Sequence, residues 1–125
     1  MTTADRATIL IADDDRDFVK ILRELLIHSG YNVIEAYEGV RAIEYAHARH
    51  PDLILLDIRM PVGTGEMVLE RLRADGDTHG IPIFVMTGFD DGDLPEKLHQ
   101  AGADAFFKKP IDNNHLVAEI AKVVM

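Results

Sequence analysis

Cysteine is absent from the chain, which removes disulfides, thiolate metal sites and cysteine nucleophiles together. Serine occurs once, as Ser29 at the end of an amphipathic stretch, so a serine-hydrolase triad is not supported. No apolar run approaches the roughly 20 residues that a membrane helix needs. The first residues, Met1 to Arg6, lack the apolar core of a signal peptide. Positive charge is scarce, with 13 Lys and Arg against 22 Asp and Glu and a formal net charge of −9. That balance repels nucleic-acid phosphates and speaks against direct nucleic-acid binding. Gly63-Thr64-Gly65 lacks the third glycine of a dinucleotide fingerprint and does not follow the first strand. The six histidines show no ligand spacing, and Asp90-Asp91-Gly92-Asp93 lacks the calcium-loop pattern. These absences leave a cytoplasmic protein without a membrane segment, and 125 residues are the size of one domain.

What is present is a repeated alternation. Ile9 to Ala12, Tyr31 to Ala36, Leu53 to Asp57, Pro82 to Thr87 and Ala105 to Lys108 read as strands. Between them lie amphipathic stretches bounded by helix signals. Asp14 or Asp15 can cap the first helix, Gly30 sits at its C-terminal end, Pro51 stops the second, and Asp112 can cap the last. Expected inward residues are Phe18, Ile21, Leu22, Leu25 and Leu26 in the first helix. They are Val40, Ile43 and Ala46 in the second, and Leu116, Ile120, Val123 and Val124 in the last. The strands are near-continuous apolar runs, as in parallel sheets covered on both faces. Five βα units in strict alternation predict a doubly wound α/β fold. Residues 1–7 are expected to be a flexible lead-in and 8–125 one domain.

If the strands are parallel, the polar residues that close them share the carboxyl edge of one sheet, where open α/β sheets bind ligands. Asp13 and Asp14 follow the first strand, Asp57 closes the third, Thr87 the fourth, and Lys109 follows the fifth. Each has a plainer reading: Asp13 and Asp14 could merely cap the first helix, Asp57 and Thr87 could merely end strands, and Lys109 could be a surface charge. Together, carboxylates that repel one another call for a hard cation. Lys109 can pair with Asp57 and hold a phosphoryl oxygen. Asp57 is the candidate nucleophile, because carboxylates form aspartyl phosphates.

Four segments carry a resemblance that spans nearly the whole chain: I-L-I-A-D-D-D at 9–15, L-I-L-L-D-I-R-M-P-V-G-T-G at 53–65, I-F-V-M-T-G at 83–88 and A-G-A-D-A-F-F-K-K-P at 101–110. In that order and spacing they resemble the receiver domains of two-component response regulators. The resemblance implies a flavodoxin-like sheet of order 2-1-3-4-5 with five helices. It implies that Asp57 accepts a phosphoryl group from a phosphohistidine on a sensor histidine kinase or histidine phosphotransfer protein. Magnesium, with manganese as a substitute, would be held by Asp13, Asp14, Asp57 and the backbone carbonyl of Arg59. Thr87 and Lys109 would bind the phosphoryl group, and Thr87 and Phe106 would act as the switch. The Lys109–Pro110 bond would be cis, and Arg59 with Phe89 would tune hydrolysis of the phosphoryl group. The partner downstream would be an effector protein or output domain, reached through the surface of the fourth helix, fifth strand and fifth helix. The chain itself would be a monomer or weak homodimer.

Departures from the family pattern are Thr64 where an acid is common, Gly88 where alanine is common, and Phe106 without the hydroxyl of a tyrosine. Two other functions compete. A magnesium-dependent phosphatase would also use an aspartyl phosphate, but Arg59 stands where such enzymes place a second acid. A phosphate sink or relay would share the chemistry and lack an output of its own.

Overall fold

The computed structural model describes residues 5–88, 92 and 94–124. Most of the expected flexible lead-in, and Phe89, lie outside them. The elements run β1 (Thr8–Ala12), α1 (Arg16–His28), β2 (Asn32–Ala36), α2 (Gly39–Arg49), β3 (Leu53–Asp57), α3 (Gly65–Ala74), β4 (Ile83–Thr87), α4 (Leu94–Gln100), β5 (Ala105–Lys108) and α5 (Asn113–Val124). All strand pairs are parallel, in the order β2-β1-β3-β4-β5. This is the expected doubly wound sheet with five helices.

The strands are apolar on both sides because each side has its own cover. Leu10, Ala12, Ile54, Leu56, Ile83 and Val85 pack with α2, α3 and α4. Ile9, Ile11, Leu53, Leu55, Phe84 and Met86 pack with α1 and α5. Every residue of β3 and β4 is buried. Full burial of an aliphatic side chain is worth about 1.5–3 kcal/mol, so these two central strands dominate the core.

The helix ends follow the local chemistry. Asp15, not Asp14, caps α1, accepting from the Phe18 amide at 3.1 Å. Gly30 follows the helix with φ +99°, a conformation glycine adopts without steric cost. Thr64, where the family often has an acid, caps α3 through its hydroxyl, 3.3 Å from the Met67 amide. Asp112 accepts from the His115 amide at 3.2 Å.

Three expected core positions face outward. Ile21 is 65% exposed, Val40 42% and Val123 42%. The buried line on α1 is Val19, Leu22 and Leu26, and on α2 it is Gly39, Ala42 and Ala46. Apolar residues in these helices wrap beyond one stripe, and the sheet selects which line is covered.

The end of the sheet away from the acidic residues is held by polar contacts. Arg73 donates to the carbonyls of Gly102, His79 and Ile81 at 2.9, 2.8 and 2.6 Å, and pairs with Asp104 at 2.8 Å. Asp104 also accepts from the Ile83 amide. Buried Thr78 donates to the Leu72 carbonyl at 2.8 Å. His47 has Asp77 at 2.9 Å from Nδ1 and Asp75 at 3.1 Å from Nε2. Two carboxylate acceptors favour the imidazolium, and the bond to Asp77 leads the upward shift of its pKa.

Close backbone approaches at the carboxyl edge require glycine, as at Gly65. A Cβ on Gly65 would lie 2.4 Å from the Asp57 carbonyl oxygen and 2.6 Å from the Ile58 Cα. No atom lies within 4 Å of a Cβ built on Gly88. Gly65→Ala is therefore expected to destabilise the protein by about 1–3 kcal/mol, and Gly88→Ala to stay within about 0.5 kcal/mol of wild type. Urea denaturation of the two variants checks this; equal midpoints would contradict the close approach at Gly65.

Candidate functional site

The parallel register brings the strand ends together. Ala12 is opposite Leu56 and Ala36, Asp57 is opposite Met86, and Thr87 is opposite Lys108. Asp13 continues β1 by one residue, and its amide donates to the Ala36 carbonyl at 3.0 Å. Its side chain is fully buried, Asp57 is 6% exposed and Thr87 1%. Asp14 is exposed. One carboxylate oxygen from each of Asp13, Asp14 and Asp57 lies within 4.8 Å of the others.

Lys109 enters this acidic edge from beyond β5. Its amide donates to the Thr87 carbonyl at 2.7 Å. The peptide bond to Pro110 is cis, as the resemblance implies. Its Nζ is 2.6 Å from Asp13 Oδ2 and 3.9 Å from Asp57 Oδ1. Asp13 is therefore its closer partner. The other oxygen of Asp13, Oδ1, accepts from the Asp15 amide at 3.0 Å.

Asp57 carries an electrostatic cost. Burial, with the negative charge of Asp13 adding to it, pushes its carboxyl up to about 6. Lys109 and a hydrogen bond from the Arg59 backbone oppose that rise, and Asp14 adds to it. The donor set fits a hard divalent cation: three carboxylates, no sulfur or imidazole in the cluster, and one member open to water.

Of the sequence-predicted residues, Asp13, Asp14, Asp57, Thr87 and Lys109 meet at this edge, and Arg59 follows two residues after Asp57 with its side chain exposed. Phe106 is partly buried against the core beneath α2, α3 and α4. Phe89, paired with Arg59 in the expectation, lies outside the described residues. One contact at the edge was missed. The Phe18 ring, read only as core, has the Lys109 Nζ 4.2 Å from its centroid. The available signal was its place one turn into the helix that starts at the acidic cluster.

Comparisons with known proteins agree with this arrangement. A family model for the response regulator receiver domain matches residues 9–121. The polar-differentiation response regulator DivK of Brucella ovis is 35% identical over 104 residues, covering 83% of this chain and 85% of that protein. Hybrid signal transduction histidine kinase D of Dictyostelium discoideum is 33% identical over 120 residues, which are 96% of this chain and 8% of that protein. Among solved structures, the chemotaxis protein CheY4 of Vibrio cholerae superposes with a TM-score of 0.87 at 25% identity, covering 94% of this chain and 98% of that one. The receiver domain of a sensor histidine kinase from Pseudomonas aeruginosa, with magnesium coordinated in its active-site cleft, gives 0.87 at 27% identity, covering 95% and 98%.

The raised Asp57 carboxyl has a consequence for stability. Between the ordinary carboxylate pKa and about 6, the unfolded chain loses this proton before the folded one does. In metal-free protein, stability is therefore expected to fall as pH rises through that window, by up to about 3 kcal/mol. Asp57→Asn should remove this slope and be the more stable protein at pH 7.5, while the two converge toward pH 4. Thermal melts in chelator at both pH values check it; parallel profiles would contradict the repulsion described here.

Proposed function

The chain belongs to the response regulator receiver domain family, and from that premise we propose that Asp57 accepts a phosphoryl group from a partner phosphohistidine. The observation that carries this reading is the meeting of Asp57 with two further carboxylates and the Lys109 ammonium at one sheet edge. An oxygen of Asp57 attacks phosphorus as the phosphorus–nitrogen bond of the donor breaks. The electron pair of that bond returns to the imidazole, which takes a proton from water. Such transfers have loose transition states, so positioning and charge neutralisation do most of the catalysis. Lys109 neutralises a phosphoryl oxygen as a point charge, and the Thr87 hydroxyl, on the neighbouring strand, donates to another. The carboxylates of Asp13, Asp14 and Asp57 and the Arg59 carbonyl would hold magnesium, or manganese in its place, which would supply further neutralisation.

The product places about 1.5–2 negative charges and three acceptor oxygens where one carboxylate stood. Thr87 moves toward them, and Phe106 turns into the space released. This biases the face formed by α4, β5 and α5 between two pre-existing states. The family's receivers are in general signalling modules without turnover of a small substrate. The partners here would be a sensor histidine kinase or phosphotransfer protein upstream and an effector or output domain downstream. The setting would be the cytoplasm, with the protein a monomer or a weak homodimer. No described helix is long and apolar enough to cross a membrane. Phe89, with Arg59, would slow hydrolysis of the phosphoryl group.

Intact-mass measurement after incubation with acetyl phosphate and magnesium tests the reading. The expected result is one labile phosphoryl group that requires magnesium and is absent from Asp57→Asn. Thr87→Ala is expected to accept the group and yet leave the Phe106 resonances of the phosphorylated protein near their starting positions. An adduct on Asp57→Asn, or none on wild type, would overturn the assignment of Asp57.

A further inference from the structure

Lys109 is held at both ends. Its amide is fixed to the end of β4 through the Thr87 carbonyl. Its ammonium lies between the buried carboxylate of Asp13 and the ring of Phe18, 2.6 Å from one and 4.2 Å from the centroid of the other. Phe18 is itself fixed. Its amide is the donor that Asp15 caps, and its ring is partly buried against the cluster containing Val19, Leu22 and Phe107. A lysine side chain otherwise has large rotamer freedom, and ordering it costs free energy.

We propose that Phe18 is a positioning residue for Lys109, its ring steering the ammonium toward the phosphoryl site on Asp57. This rests on the reading that Lys109 neutralises that phosphoryl group. The face of an aromatic ring attracts a cation through its quadrupole. It carries no net charge, so it orders the ammonium without competing as a carboxylate would. From its present position Lys109 is already 3.9 Å from Asp57 Oδ1. A shift of its tip from Asp13 toward an arriving phosphoryl oxygen can keep the ring as a guide. Leucine at position 18 would fill part of the volume and lose the attraction, whereas tyrosine would keep both ring and attraction.

Two measurements on the full chain test this. In metal-free protein, the Lys109 ε-methylene protons, assigned with Lys109→Arg, should show an upfield ring-current shift. That shift should be lost in Phe18→Leu and kept in Phe18→Tyr. With acetyl phosphate and magnesium, Phe18→Leu should phosphorylate on the order of ten-fold more slowly, as expected for losing a partly buried cation–π contact. Phe18→Tyr should recover the wild-type rate. Loss of packing alone would slow both variants in proportion to their loss of stability, so urea midpoints are read alongside. An unshifted Lys109 resonance in wild type overturns the proposal, even if Phe18→Leu does not fold. A wild-type rate in a folded Phe18→Leu overturns it as well. If wild type accepts no phosphoryl group while its Lys109 resonance is shifted, the contact stands and the role in transfer falls with the reading of Asp57.

Discussion

The Asp13–Lys109 ion pair is the contact on which the acidic edge depends. A carboxylate with no exposure to water is costly unless it is paired and hydrogen-bonded. Asp13 meets both conditions, with Lys109 at 2.6 Å on one oxygen and the Asp15 amide at 3.0 Å on the other. The amide also opens α1, so satisfying the charge and turning the chain into the helix are one event. The pair joins residues 96 apart in sequence, beyond the ends of β1 and β5. It therefore needs the sheet order that brings those ends within reach. Without β3 and β4 between them in parallel register, neither Asp57 nor the Thr87 carbonyl would meet Lys109.

The same pair leaves Asp57 only partly compensated. Lys109 is 3.9 Å away from it, too far for a hydrogen bond, and Asp13 contributes its own charge to the problem. The folded protein thus holds a carboxylate that it does not fully stabilise. A cation at the cluster would relieve that repulsion, so part of its binding free energy would come from a cost already present in the fold. With a cation in the cluster, a phosphoryl group arriving on Asp57 would meet positive charge from the ion and from Lys109.

The sheet and the acidic edge were legible because their signals are local. A strand covered on both faces must be apolar throughout, and Leu53 to Leu56 and Ile83 to Met86 are. Parallel order then places whatever follows each run at one edge, so Asp13, Asp57, Thr87 and Lys109 could be grouped before any coordinates. Less was legible where the outcome depends on distant partners. Ile21 and Leu22 are both aliphatic neighbours on α1, and only the sheet decides that Leu22 is buried and Ile21 is 65% exposed. Arg73 looks like one more surface charge at a helix end. Its partners at Ile81, Gly102 and Asp104 lie in two other connections. Lys109 could be placed near Asp57 from sequence, but its preference for Asp13 follows from side-chain reach, which periodicity does not report.

Packing also limits how a change at this edge can spread. Phe106 and Phe107 are consecutive in β5 and point to opposite faces of the sheet. Phe107 is 6% exposed, with its ring 5.4 Å from Phe84 and 5.5 Å from His115. Turning it would break contacts with both β4 and α5. Phe106 is only partly buried, on the side of α4. Thr87 stands at the end of β4, next to β5, with its hydroxyl-bearing side chain enclosed. A pull on Thr87 can therefore be answered by Phe106 at lower cost than by Phe107. In the proposed switch the side that would yield is that of α4, a helix of seven residues with Leu98 as its buried anchor. The opposite side, under α1 and α5, keeps its aromatic packing. The asymmetry of two adjacent phenylalanines thus gives the two faces of the sheet unequal resistance to such a pull.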